Sequence, residues 1–428
     1  MRFLKALLYA CFLISLVNCK DGKDDVAPLV SIVVPTENSS YNVLESVVIQ
    51  ANISDNKNVE SVRISLISDV TKNQVVPSKT ISVNRKEFFV EQVVEISDSL
   101  LETGRYYFRV EAFDGENYFS AFRYVFINGI IRKKLGVVVS CKNGAITDLY
   151  ADKNDLNFQL LNSFLGNYEA SVLNSSDQHF WFAPSNSELL SAYSFVDNSV
   201  VYSNRYRSNF SNPFSDIEIE DRDVLIGLRK GEIDGRNQNF SDSYTYLAQS
   251  GRRVESIAVN ETYVLVEDLD NSGTNRKLNV LRRTSGTVKS SSVFNDDIIE
   301  IIFTEKDKCI VLANDSQGGR GVVFDISNGN ILNTLFTTDS IRSAVKTNSG
   351  NIFLTTNSEV QFYVFQNGSS TTYLNKPNSI IKYDHIDGQL YVGSGNNLES
   401  YTYPRANPTV VSILPNEVVG INIRYNKN

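Results

Sequence analysis

Histidine is almost missing from this chain: among 428 residues only His179 and His385 occur. A His-built metal site or a Ser-His-Asp triad would need further ligands or a nucleophile elbow beside them, and no Gly-x-Ser-x-Gly is present. Both histidines are therefore read as structural. Methionine appears once, as the initiator, and tryptophan once, at Trp181. Clustered basic charge is also lacking: 41 Lys and Arg stand against 49 Asp and Glu, a net charge of −8, which excludes a nucleic-acid partner because phosphates demand concentrated cations. Past the first 18 residues no stretch approaches the roughly 18 apolar residues that a spanning helix needs. What is abundant points to strands. The chain holds 24 Phe and 21 Tyr with many Val, Ile, Ser and Asn, and its 42% hydrophobic and 21% charged residues are those of a globular protein. Its length suits two or three domains.

Residues 1–18 read as a leader. Arg2 and Lys5 supply the charged start and Leu7 to Val17 a short apolar stretch. No small-residue cleavage site follows. The segment ends Leu16-Val17-Asn18-Cys19, which resembles a bacterial lipobox and implies lipidation of Cys19. Cys11 is a poorer candidate, since too little apolar sequence precedes it. Residues 19–26 then form a tether. Its Lys20-Asp21-Gly22-Lys23-Asp24-Asp25 resembles the surface-export signal of Bacteroidetes lipoproteins, although a solvated spacer reads the same way. The resemblance implies an outer-membrane, lipid-anchored protein on the cell surface. About eight residues reach roughly 25–30 Å, which keeps the next domain near the bilayer.

Residues 27–128 carry dense strand patterning. Leu29–Val34, Ser46–Ile53, Val59–Ile67 and Arg105–Phe113 alternate or run apolar, with Asp55-Asn56 and Asp114-Gly115-Glu116-Asn117 as turns. Seven or so strands in about 100 residues predict an antiparallel sandwich. Pro35 after the first strand, Ser46–Ala51, and Gly104–Gly115 resemble bacterial immunoglobulin-like repeats, which implies a stalk.

Residues 133–428 contain a repeat. Apolar first strands begin near Tyr168, Phe214, Val254, Ile298, Ile341, Ile380 and Val418. Each of the first six is followed by a second apolar run, such as His179–Phe182, Val224–Leu228 or Cys309–Leu312. One four-stranded unit per roughly 40–45 residues is the spacing of β-propeller blades. The final segment, Val418–Tyr425, reads as a first strand with nothing after it, and Leu135–Ser140 as a second strand with nothing before it. Pairing them predicts a seventh blade closed by the C-terminus; six blades is the alternative, since the unit Phe214–Gly251 has a weak third strand. The text around Gly321–Leu332 resembles the YVTN and quinoprotein-like propellers, but the lone Trp181 departs from quinone-binding members, which repeat a tryptophan in every blade. Cys141 and Cys309 fall on non-adjacent units and are read as small buried hydrophobes.

Three stretches are candidates for chemistry. Glu218 and Glu220 share a face of one first strand by alternation and are expected to line a central channel. The Tyr202–Phe214 connection, rich in Tyr, Arg and Asn, offers Tyr206, Arg207 and Phe210 as recognition residues, or is an ordinary long loop. Asp268, Asp270 and Ser272 resemble the opening of a calcium loop, with Gly273 following; Asn279 stands where the bidentate carboxylate belongs, and a hairpin turn accounts for the same residues.

The fold expectation is thus all-β, an Ig-like β-sandwich followed by a seven-bladed β-propeller. The functional expectation is a non-catalytic surface lipoprotein, bound to the membrane through its lipid, that engages a protein or glycan. No cofactor is called for apart from the calcium alternative. The competing expectations are a polysaccharide-degrading enzyme using channel carboxylates and a structural subunit of an outer-membrane assembly.

Overall fold

The computed structural model describes residues 25–152 and 157–427. The leader, Cys19 and the tether up to Asp24 lie outside the described residues. Every regular element among those described is a β-strand. The chain divides into two compact units, Met1–Ile131 and Arg132–Asn428.

The first unit is one six-stranded sheet around a single apolar core. Leu29–Val34 pairs with Ser46–Ser68, which pairs with Gly104–Phe113 and then Tyr118–Asn128. Lys79–Glu95 lies along Ser46–Ser68, and the short Ser39–Asn42 runs parallel to Tyr118–Asn128. Where sequence predicts two strands separated at Asp55-Asn56, the structure has one strand of 23 residues. Its register slips between Ser54 and Val59 while Lys79–Glu95 follows it on both sides of the slip. A bulge keeps the backbone groups of both halves paired, which a turn would not. Alternation does the rest: Val47, Ile49, Ala51 and Ile53 on the first half and Val62, Ile64 and Leu66 on the second all enter the same core.

The second unit consists of seven four-stranded antiparallel sheets. Their first strands are Tyr168–Asn174, Phe214–Glu220, Arg252–Val259, Asp297–Glu305, Ile341–Lys346, Ile380–Asp384 and Glu417–Tyr425. Sheets 1 to 6 each use four consecutive strands. Sheet 7 joins Glu417–Tyr425 to Lys134–Asn143, Ile146–Asp152 and Phe158–Leu165, so the two ends of the unit share one sheet. First strands of neighbouring sheets pack on one another, and Glu417–Tyr425 touches both Ile380–Asp384 and Tyr168–Asn174. This is a propeller-like arrangement.

Why the second strands read as unbroken apolar runs is now plain. Asp223–Leu228, Lys308–Asn314 and Ile352–Thr356 are buried along nearly their whole length, because each is covered on both faces by neighbouring sheets. Apolar clusters join sheets 1 and 2, 2 and 3, 3 and 4, 4 and 5, 5 and 6, 6 and 7, and 7 and 1. Fourth strands such as Ser199–Arg205 and Ser369–Leu374 lie outermost and are polar and largely exposed. The hairpins leading into the fourth strands of sheets 3, 4 and 5 repeat one device. Gly286, Gly329 and Gly368, at φ of +64°, +74° and +66°, each donate to the carbonyl four residues earlier. A side chain is strained there. Cys141 and Cys309 are free, fully buried thiols, pushed up to about 12 by burial.

Candidate functional site

First strands of sheets 1, 2, 4, 5, 6 and 7 line a cavity of about 520 Å³, with Glu169, Asp216, Glu218, Glu300, Arg342, Lys346 and Lys382 among its residues. A second hollow of about 310 Å³ shares Lys382, Tyr383 and His385 with it and continues along Ile219–Asp221 and Asn422–Tyr425. Alternation creates the lining. In Phe214–Glu220, Ile217 turns into the core between sheets 1 and 2, which leaves Asp216 and Glu218 facing the hollow.

The charges of this lining are segregated. Asp216 and Glu218 come from sheet 2 and Glu300 from sheet 4, whereas Arg342 and Lys346 come from sheet 5 and Lys382 from sheet 6. Asp216 accepts hydrogen bonds from the amides of Ile217 at 2.8 Å and Ile257 at 3.0 Å, so it also ties sheet 2 to sheet 3. Burial raises its carboxyl to about 6 against the pull of those amides. Glu300 is raised to about 7 by burial, opposed by Lys382 and reinforced by Asp216. Glu218 is raised well above the usual range by burial, then by the charges of Asp216 and Glu300, with Lys382 opposing. Burial thus favours the protonated forms of the trio, with Lys382 opposing at Glu218 and Glu300. Lys346 donates to the Phe303 carbonyl at 3.0 Å and Arg342 to Asn357 at 2.7 Å, which holds the basic wall in place. At the rim, Arg229 bridges Glu169 at 2.9 Å and Glu255 at 3.0 Å, and Asn212 donates to Glu169 at 2.9 Å.

The predicted residues fare unequally. Glu218 lines the larger hollow, as its alternation implies. Glu220 lines the smaller one and lies 3.9 Å from Arg283, which also binds Asp223 at 3.2 Å, so it is not the partner of Glu218. Tyr206 is corrected: it is buried between sheets 1 and 2, its hydroxyl donates to Asp234, and its ring meets Phe214 edge-on at 5.6 Å. The loop around it is pinned in the same way, since Tyr202 stacks on Phe240 at 5.0 Å and the Ser208 amide donates to Glu188 at 3.1 Å. Arg207 stays exposed and Phe210 is half-buried.

The residues of the calcium alternative are engaged within the hairpin. Asp268 is 2% exposed, and its carboxylate is taken up by Arg252 and by Asn279, the very residue at the loop's twelfth position. Asp270 instead caps the turn, accepting from the amides of Thr274 at 2.9 Å and Asn275 at 3.2 Å, which holds it down to about 2. Ser272 bonds Thr274 at 2.8 Å. The spacing of a cation loop is met here by a hairpin, where strand pairing turns Asp268 inward. Among the described residues no group of three or more His, Cys, Asp or Glu is arranged to hold a metal ion.

His179 stacks on Phe240 at 5.3 Å, and His385 lines the channel with Nδ1 2.8 Å from Asn348 Oδ1. Burial lowers both imidazoles, and Arg132 and Lys382 add to this at His385. Sequence reasoning missed Asp216, Glu300, Arg342, Lys346 and Lys382. A signal was there: Glu300 sits between Ile299 and Ile301, and Lys382 between Ile381 and Tyr383, single charges set into apolar first strands.

No family model and no curated protein matches the chain. Solved structures similar to it include the computationally designed Ika8 protein, at 11% identity over 67% of this chain and 90% of that one, with a TM-score of 0.48. A chain of the mitotic checkpoint complex is similar at 12% identity, over 59% and 78%, with a TM-score of 0.47. Apo AztD from Citrobacter koseri is similar at 8% identity, over 68% and 99%, with a TM-score of 0.46. The class these observations define is an all-β chain with a propeller-like unit of four-stranded sheets.

Proposed function

We propose that this is a lipid-anchored, surface-displayed binding protein of Bacteroidetes type, in which an Ig-like stalk carries a closed seven-bladed propeller whose channel engages a glycan or a polar protein segment. The observation that carries the reading is the 520 Å³ cavity with carboxylates from sheets 2 and 4 facing cations from sheets 5 and 6. Such a lining presents acceptors and donors to one ligand at once, which is how few polar groups fix orientation in a pocket. Closure is supported by the sharing of sheet 7 between the two ends of the unit and by the apolar cluster between sheets 7 and 1.

The test is a panel of oligosaccharides and envelope or host proteins presented to the intact chain. At least one should bind, and Lys382→Met should weaken that binding about tenfold, the equivalent of one charged hydrogen bond. A panel with no binder, or binding that Lys382→Met leaves untouched, overturns the reading. The raised carboxyls favour one second reading, a polysaccharide-degrading enzyme that uses a protonated and an ionised carboxylate of the Asp216, Glu218 and Glu300 group. New reducing ends released from the same oligosaccharides would establish it. Anchoring is tested separately: Cys19→Ser should move the protein from the membrane fraction to the soluble one, and unchanged sedimentation with membranes would refute lipidation at that position.

A further inference from the structure

The first unit turns a row of rings to solvent. In Gly104–Phe113, Tyr106, Phe108, Val110 and Ala112 enter the core, so Arg105, Tyr107, Arg109, Glu111 and Phe113 face outward. Register sets these opposite Phe126, Tyr124, Phe122, Ser120 and Tyr118 in the same order. Phe113 and Tyr118 stack at 4.2 Å, Tyr107 meets Phe122 at 5.7 Å and Tyr124 at 5.5 Å, and the Arg105 guanidinium lies 4.0 Å from the Tyr124 ring centre. The rings are not a core in waiting: Tyr118 is 63%, Phe122 53% and Phe126 41% exposed. On the other side of Gly104–Phe113, Ser61 and Arg63 pair with Phe113 and Glu111, and Thr80 pairs with Arg63. Ser61, Arg63, Thr80, Glu111, Phe113 and Tyr118 line a groove of about 500 Å³.

We propose that this outward face is a binding site for an oligosaccharide, separate from the channel of the second unit. A pyranose has an apolar face of C–H groups and a rim of hydroxyls. The stacked Phe113–Tyr118 pair offers a flat apolar support of that size, while Glu111 accepts and Arg63, Ser61 and Thr80 donate around it. Rings lose little rotamer freedom on binding, which suits them to such contacts. Further sugar units can continue over Phe122 and Phe126. Contiguous exposed apolar surface rimmed by polar groups is unusual on a monomer unless it is used. Arg105 and Arg109 would also suit an anionic bilayer, and the vesicle arm of the test below separates that occupant from a sugar. A second copy across a two-fold axis would bring the guanidinium groups of Arg105 and Arg109 on one face against those on the other.

Affinity electrophoresis of the full chain tests this, in gels containing hydroxyethylcellulose, xylan, galactomannan, laminarin or starch. Retardation is expected in at least one gel. Tyr118→Ala and Phe122→Ala should each weaken it about tenfold, and Arg63→Ala should weaken it as well. Phe89→Ala removes a 50% exposed ring that pairs with Asn52 instead, and it should leave retardation unchanged. Thermal melts report whether each variant is folded, and Arg63→Ala decides the matter should a ring variant fail to fold. Free passage through every gel overturns the proposal. So does retardation that survives all three face variants, or a Tyr118-dependent self-association or vesicle binding without any retardation.

Discussion

Deleting residues from Glu417 onward leaves a chain that does not fold cooperatively and aggregates. The segment supplies one strand of sheet 7 and, with Val418, Ile421, Ile423 and Tyr425, much of the apolar cluster between sheets 6 and 7. Burying side chains of this size is worth about 1.5–3 kcal/mol each, so their joint loss reaches the whole 5–15 kcal/mol by which domains are usually stable. The polar losses compound it. Asn422 donates to Ser171 at 2.9 Å, the Tyr425 amide to Ser175 at 3.1 Å, and the Tyr425 hydroxyl to Asp384 at 3.0 Å, contacts that bind sheet 7 to sheets 1 and 6. Lys134–Asn143 would also become an open edge, ready to pair with another chain. Circular dichroism melts and size-exclusion chromatography measure the outcome. A truncated monomer melting like the parent would show that the ends do not close the unit. A milder probe is Gly420→Val. A Cβ there meets the Tyr168 ring at 2.6 Å, so the variant should lose about 1–3 kcal/mol of stability, as overpacking typically costs, and melt at a lower temperature.

The pairing of the two ends in sheet 7 was legible because burial on two faces writes itself into sequence. Lys134–Asn143 pairs with the strand after it but has none before it, and Glu417–Tyr425 has none after it, so each is left with an edge that the other can fill. First strands could be placed within two residues for the same reason: Val254 and Ile298 stand just inside Arg252–Val259 and Asp297–Glu305. The lining of the channel was less legible. Asp216, Glu300 and Lys382 converge only because sheets far apart in sequence are arranged around one hollow, and one strand's alternation cannot say which charges will meet. Tyr206 misled because a Tyr-rich loop and a Tyr-rich core have the same composition; the hydroxyl's partner, Asp234, is 28 residues away. The burial of Asp268 against Arg252 and Asn279 was not legible, because a spacing rule counts residues and ignores the two-residue period of a hairpin.

Between pH 5 and pH 8 the second unit should lose stability, and the channel carboxyls are the cause. Their ordinary values are 3.8 for Asp216 and 4.5 for Glu218 and Glu300; in the fold Asp216 stands at about 6, Glu300 at about 7, and Glu218 higher than usual. The folded chain therefore holds protons that the unfolded chain has already released. Linkage then fixes the sign: the contribution is fully present below about pH 4 and is lost as pH rises through the folded values near 6 and 7. A tenfold difference in proton affinity between folded and unfolded chain is worth about 1.4 kcal/mol, so a loss on the order of 3 kcal/mol for the set is expected once channel water and mutual coupling are allowed for. That amounts to a fall of several degrees in Tm. Glu218→Gln together with Glu300→Gln should flatten the profile and leave the variant more stable than the parent at pH 8. Lys382→Met should deepen the loss there, because it removes the cation that lowers Glu218 and Glu300. Asp216 is best left in place, since its carboxylate accepts the Ile217 and Ile257 amides. Calorimetric melts across the range would decide it. A parent protein whose Tm is level from pH 5 to pH 8, or a double variant less stable than the parent at pH 8, would mean that these carboxyls are ionised in the fold and that water or a counter-ion fills the channel well enough to keep them so.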